Sequence, residues 1–252
     1  MKGVTVIIPI FNPDSHRCRN LNYIIPKLLE TNIKVIIMEQ SNTGKPKYDS
    51  SKYSNIDHQV FYTTEQYIKK SWLINISSRF TDTSHIWVVD CDFCTDFCSI
   101  DLKEVVKHDY TQPFNYARDL DREETELYIS NQLKNVSYYN GLEKIHRHIT
   151  TYGALSFIYR VEALESLGGM DEKYTGWGHE DFDLFLRIHT PDTGPKINII
   201  KNNYSVHLWH PAPRDKDKTD VRNKEILTKK GLIWDNVTNI MLKYYYPEWH
   251  RL

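Results

Sequence analysis

A chain of 252 residues with 40% hydrophobic and 13% aromatic side chains can bury a sizeable core, as one domain or two tightly fused halves. Its 32 basic and 33 acidic residues leave a formal net charge of -1, so no long-range field draws it to nucleic acid or an anionic membrane, and a partner must be recognised locally. No apolar run approaches the roughly 18 to 20 residues of a membrane span, and Met1-Lys2-Gly3 leads directly into a strand without a leader pattern; the expectation is a soluble or cytoplasmic protein.

Val4 to Pro9 is a nearly continuous apolar run, as expected of a strand buried on both faces of a parallel sheet. A turn at Phe11-Asn12-Pro13-Asp14 follows. Leu21, Ile24, Ile25, Leu28 and Leu29 then recur at helical spacing, and Pro26 must sit in a first turn or kink that helix. Lys34 to Met38 is a second buried strand with Glu39-Gln40 at its carboxyl end, and Val60 to Tyr62 a short third one. The spacing of Ile68, Trp72, Ile76 and Phe80 predicts a helix from about Thr64 to Phe80. His85 to Val89 is a fourth strand that delivers Asp90 and Asp92 at its tip. This alternation predicts parallel strands joined by right-handed crossovers, with ligands bound beyond their carboxyl ends. Phe11, Glu39 and Asp90 all fall on that edge.

From Asp109 to Ile149 the chain is polar, with weak periodicity, and reads as an irregular or helical excursion of the kind that forms a lid. Gly153 to Tyr159 is a strand, and the helix after Val161 is stopped by Gly168-Gly169. Ile197 to Ile200 and Tyr204 to Trp209 read as strands, and a helix over Val221 to Lys230 ends at Gly231. Cys91, Cys94 and Cys98 lie close together with Cys18 apart; without finger-like partner spacing they read as free thiols of a reducing compartment, ahead of a zinc site.

Three segments carry chemistry. Asp90-x-Asp92 puts hard oxygen ligands at the binding edge, as a divalent cation holding a diphosphate requires. His207-x-x-His210 can complete the coordination, and imidazole suits Mn²⁺ better than Mg²⁺. Residues three apart on a strand face opposite ways, so both rings reach one ion only if the chain leaves the strand before Pro211. In Gly176-Trp-Gly-His-Glu-Asp, the adjacent carboxylates Glu180 and Asp181 stand where a glycine-hinged loop becomes a helix, behind the flat face of Trp177. One suits a general base and the other an acceptor-orienting group. Asp183 reads as ordinary helix surface. Glu39 can accept a hydrogen bond from a nucleobase imino N–H, and Phe11 can lie against the base.

In this order the segments resemble the β-1,4-galactosyltransferases and related GT-A glycosyltransferases, including the chondroitin-polymerase type. Val4 to Asn12 is similar to their opening strand and turn, and to that of glycosyltransferase family 2. Ile36-Ile-Met-Glu-Gln40, Ile68 to Asn75, Val88-Val-Asp-Cys-Asp-Phe93 and Tyr174 to Arg187 are similar to their later motifs. The resemblance implies an α/β GT-A domain over residues 1–252, with a nucleotide-binding half over 1–98 and an acceptor-binding half over 99–252. It implies a UDP-sugar donor, a glycan or glycoconjugate acceptor, and Mn²⁺ (or Mg²⁺) held by Asp92, His207 and His210, the first histidine standing where the family has a methionine. Asp181 takes the place of the base, with Glu180 beside it. Donor contacts are implied for Pro9, Phe11, Asn12, Glu39, Lys70, Asp90, Trp177 and Gly178. Lys70 replaces the family's arginine, keeping charge without bidentate geometry. Thr151 stands where a smaller residue than the family's tyrosine admits an acetamido group, which favours N-acetylgalactosamine beside galactose. The implied activity is metal-dependent, inverting hexosyl transfer. A silent sugar-nucleotide-binding protein, a retaining GT-A transferase and a nucleotidyltransferase are the rivals, the last weakened by the absence of a glycine-rich basic loop after the first strand.

Overall fold

The apolar runs that open the chain do form strands, because only a sheet covered on both faces hides them from water. In the computed structural model, which describes residues 3–131, 156–190, 194, 196–201, 203–213, 215–232, 236, 239 and 240, the strands are β1 Val4–Phe11, β2 Lys34–Ser41, β3 Ile56–Tyr62, β4 His85–Val89, β5 Phe93–Thr95, β6 Tyr110–Gln112, β7 Tyr116–Asp119, β8 Ser156–Arg160, β9 Asn198–Ile199 and β10 Tyr204–His207. Seven of them make one sheet in the order β3-β2-β1-β4-β8-β6-β9. The four N-terminal strands are parallel, as predicted, and β8 joins antiparallel to β4. A three-stranded sheet, β5-β10-β7, stands beside it.

Helix α1, Ser15–Leu29, begins at Asp14, whose side chain accepts from the amides of His16 and Arg17. Its Leu21, Ile24, Ile25 and Leu28 are fully buried against Val6, Ile8 and Ile10 of β1. Burial of each is worth about 1.5–3 kcal/mol. Alternate strand residues, among them Ile7, Ile36 and Met38, face the other layer with Leu73 and Ile74 of α2, Lys70–Ser77. Also described are α3 Leu102–Val105, α4 Arg122–Ile129, α5 Val161–Ser166, α6 Glu180–Ile188 and α7 Lys216–Lys229.

Several expectations are corrected. Pro26 lies in the last turn of α1, where the helix is about to end, not in the first. The helix predicted from Thr64 begins only at Lys70, because sheet-edge side chains capture the preceding backbone. The Asn42 amide donates to the carbonyls of Thr63 and Glu65 at 2.9 Å each, and Gln40 Oε1 accepts from the Lys69 amide at 2.7 Å. The segment after Asp109 is more ordered than its composition suggests, contributing β6, β7 and α4 before residue 131; the rest of that excursion, Thr151 and the start of the strand expected at Gly153 lie outside the described residues. Gly168 and Gly169 end α5 with φ of 80° and 74°. Among the described residues no helix is long and apolar enough to cross a membrane.

Candidate active site and metal centre

Sheet pairing assembles the first group. After β4 the chain turns tightly at Asp90, with the Phe93 amide donating to the Asp90 carbonyl at 3.1 Å, and enters β5. β5 runs antiparallel to β10 with Phe93 opposite His207, and the Leu208 amide donates to the Asp92 carbonyl at 2.7 Å. Asp92 is thereby set beside a segment remote in sequence. The chain leaves the strand after His207, as a shared ion requires, and the His207 and His210 rings lie 5.3 Å apart. His210 Nε2 is 3.0 Å from Asp92 Oδ2, and His207 Nε2 is 3.5 Å from Asp92 Oδ1. One ligand atom from each of Asp92, His207 and His210 can be chosen so that all lie within 4.8 Å of one another.

The electrostatics of this group are those of a charged hole. Burial would raise the Asp92 carboxyl, but the two imidazoles hold it well below the usual carboxylate range. Burial disfavours the His207 imidazolium, yet Asp92 and Asp119 push its pKa up to about 10. Asp92 Oδ1 is buried and accepts no hydrogen bond, with only the His207 ring facing it at 3.5 Å, so it stays open to a cation. One hard oxygen and two imidazole nitrogens fit Mn²⁺ better than Mg²⁺, which prefers an all-oxygen shell.

A second group adjoins the first through Asp90. Lys70, at the start of α2, places Nζ 2.8 Å from Asp90 Oδ1 and 3.7 Å from Glu180 Oε1. Burial works against the Lys70 ammonium, but Asp90 and Glu180 hold it protonated far above the usual lysine value. Burial pushes the Asp90 carboxyl up to about 6 against the pull of Lys70. Asp181 follows Glu180 in the first turn of α6. Burial, reinforced by the Glu180 charge, raises its carboxyl to about 7. Tyr159 of β8 lines the hollow between Lys70 and Asp181, and burial drives its phenol upward.

The glycine loop ahead of α6 is fastened from outside. Gly176, Gly178 and His179 have φ of 78°, 96° and 73°, a left-handed run that turns the chain into the helix. A Cβ at Gly176 would meet Thr219 Cγ2 of α7 at 2.6 Å. The fully buried Asn223 donates to the carbonyls of Thr175, Trp177 and Gly178 at 3.2, 3.1 and 2.9 Å. Trp177 is 44% exposed, with Lys216 Nζ over its ring at 3.9 Å.

The other expected donor contacts divide. Phe11 and Asn12 stand at the carboxyl end of β1, half-buried, while Pro9 is buried within that strand. Asn12 has φ of 38° and pairs with the Asn42 side chain. Glu39 departs from the reading as a base-edge acceptor. It is fully buried, and its oxygens accept from the Lys47 amide at 2.7 Å, the Tyr48 amide at 3.4 Å and His58 Nε2 at 3.0 Å, because the loop after β2 folds back over it. Asp183, read as helix surface, is also fully buried, accepting from Tyr174, Arg187 and Lys230.

Sequence reasoning missed Asp119, whose Oδ1 lies 3.0 Å from His207 Nδ1, and Arg17, whose guanidinium lies 2.9 Å from His210 Nδ1. Neither has a sequence signal: Asp119 sits in the weakly patterned excursion, and Arg17 is an ordinary first-turn cation of α1. Cys91 and Cys94 are buried free thiols, and neither joins the metal group.

A family profile described as the N-terminal domain of galactosyltransferase matches residues 137–210, a span that takes in Trp177, Glu180, Asp181, His207 and His210. A crystal structure of GalNAc-T7 with UDP, GalNAc and Mn²⁺ superposes with a TM-score of 0.58 at 12% identity. The superposition covers 92% of this chain and 49% of the other, so the chain spans about half the length of that protein. No curated protein matches by sequence. The fold is therefore the expected GT-A arrangement, a mostly parallel sheet flanked by helices. Both likenesses fall on glycosyltransferases.

Proposed function

We propose that this protein is a metal-dependent, inverting glycosyltransferase that moves a hexose or N-acetylhexosamine, of the galactose or N-acetylgalactosamine type, from a UDP-sugar to an acceptor hydroxyl of a glycan or glycoconjugate. The observation that carries the reading is continuity at one sheet edge: the Asp92–His207–His210 group adjoins Asp90, which feels the Asp92 charge, and Lys70 joins Asp90 to Glu180, the neighbour of Asp181 at the start of α6. Residues 1–98 would hold the nucleotide and residues 99–252 the acceptor.

Asp181 is the proposed base. With its pKa raised to about 7 it is partly ionised at neutral pH and basic enough to accept a proton, the compromise general base catalysis favours. In the proposed step the acceptor oxygen forms a bond to the anomeric carbon as the bond from that carbon to the UDP oxygen breaks, and Asp181 takes the hydroxyl proton. Glu180 orients the acceptor, and Lys70 keeps these adjacent carboxylates from repelling one another apart. Asp92, His207 and His210 would hold Mn²⁺, which when bound supplies positive charge to the departing diphosphate. Trp177, with its exposed face, is the sugar-stacking wall, and Phe11, Asn12, Asp90 and Gly178 border the donor. The match to a structure holding UDP, GalNAc and Mn²⁺ supports this choice of donor and metal.

UDP-Gal, UDP-GalNAc, UDP-Glc and UDP-GlcNAc, each incubated with Mn²⁺ and a panel of acceptors, test the reading by UDP release. Asp181→Asn is expected to retain UDP binding and lose about 10²–10⁴-fold in transfer. Near wild-type transfer by that variant removes Asp181 as the base, and NMR of a product with the donor's own anomeric configuration removes the inverting step. Donor binding without transfer to any acceptor would leave a sugar-nucleotide-binding protein.

A further inference from the structure

His207 has two ring nitrogens with different neighbours. Nε2 faces Oδ1 of Asp92, which accepts no hydrogen bond, at 3.5 Å, and Nδ1 lies 3.0 Å from Asp119 Oδ1. The second contact is built into the fold. β7 runs parallel to β10 with Asp119 level with His207, and the Leu120 amide donates to the His207 carbonyl at 2.9 Å. An ionised carboxylate only accepts, so this neighbour requires a proton on Nδ1. In the neutral ring the lone pair is then on Nε2, the nitrogen directed at Asp92. His210 is not fixed in this way. Its Nδ1 has an acceptor, the Pro211 carbonyl, at 2.7 Å and a donor, the Arg17 guanidinium, at 2.9 Å, and these call for opposite tautomers.

We infer that Asp119 is a positioning residue of the metal centre: its carboxylate holds the His207 ring with Nδ1 protonated and Nε2 presented to the ion. The inference rests on the reading of Asp92, His207 and His210 as metal ligands. Asp119 itself is not one: it lies outside the group whose ligand atoms converge, and its Oδ1 meets the far side of the ring. A carboxylate behind a ligating imidazole fixes its orientation and raises its basicity, and loss of such a partner costs about 10–100-fold in metal affinity. His207 is thus the preset ligand of the pair.

The test is Mn²⁺ binding by calorimetry, with and without UDP, for wild type, Asp119→Ala, Asp119→Asn and Asp92→Ala. Wild type should bind in at least one condition and Asp92→Ala should not. Asp119→Ala should bind about 10–100-fold more weakly. Asp119→Asn, which keeps an acceptor for Nδ1–H without the charge, should recover part of the loss. Asp119 is 45% exposed, so the metal-free unfolding midpoint of both variants should stay near that of wild type, separating a positioning role from a structural one. Equal Mn²⁺ affinity of Asp119→Ala and wild type overturns the role of Asp119 while leaving the metal site standing; so does a loss that tracks a lowered metal-free midpoint in both variants. Wild type without Mn²⁺ binding in either condition, or Asp92→Ala binding as wild type does, overturns the metal site itself.

Discussion

Asp183→Ala is the sharpest test of how α6 is held. The Asp183 side chain is fully buried; Oδ1 accepts from Arg187 Nε at 2.6 Å, and Oδ2 accepts from the Tyr174 hydroxyl at 3.1 Å and from Lys230. Burial and the adjoining Asp183 charge together push the Tyr174 phenol upward. Removing one member of a buried ion pair costs about 3–5 kcal/mol, because its partners stay desolvated without compensation. Two features moderate the loss. Lys230 keeps Asp171 at 2.6 Å and Arg187 keeps the Leu167 carbonyl at 2.9 Å, and the two cations are 29% and 24% exposed. The expected loss is therefore near the lower end, about 3 kcal/mol. At roughly 2–4 °C per kcal/mol for a chain of this size, the thermal midpoint falls by about 6–12 °C. Urea unfolding followed by circular dichroism measures the change directly, and Asp183→Asn, which still accepts from Tyr174, should fall between. A loss under about 1 kcal/mol for the alanine variant, the range of a solvated surface residue, refutes the account of Asp183 as a buried anchor.

Other consequences concern the base and its loop. Transfer should rise with pH through about 7 and level off above it, because Asp181 must lose its proton to act and its raised pKa places that loss near neutrality; a rate already flat from pH 5 upward contradicts this. Lys70→Met removes the cation that holds the Asp181 pKa down, so the midpoint of that pH profile should move to higher pH, and an unmoved or lowered midpoint argues against the electrostatic link. Gly176→Ala puts a Cβ at positive φ against Thr219 Cγ2 and should destabilise by about 1–3 kcal/mol in urea unfolding. Adding Thr219→Ser, which deletes Cγ2 but keeps the hydroxyl that accepts from the Trp177 amide, should return part of that loss, and full additivity would show that the clash is not its cause.

The legible parts were those whose physics is local. Apolar runs of strand length and turn residues marked out β1, β2 and β4, and with them the strand ends that carry Phe11 and Asp90. The burial of Glu39 and of Asp183 was hidden for one shared reason. A carboxylate looks solvated in sequence, yet each is buried by groups that arrive from elsewhere: a loop folding back with two amides and His58, and Lys230 approaching from beyond α7.

Residue type and order by themselves determined which chemistry this chain carries: carboxylates at strand and helix ends, imidazoles beside a proline, and a tryptophan between glycines. The tertiary structure alone decided which of those groups meet and how each is held. Pairing β10 between β5 and β7 brings His207 to Asp92 on one side and Asp119 on the other, and no spacing along the chain records it. The reason is that strand partnership is a long-range choice, made by burying whole faces together, whereas a motif reports only its immediate neighbours.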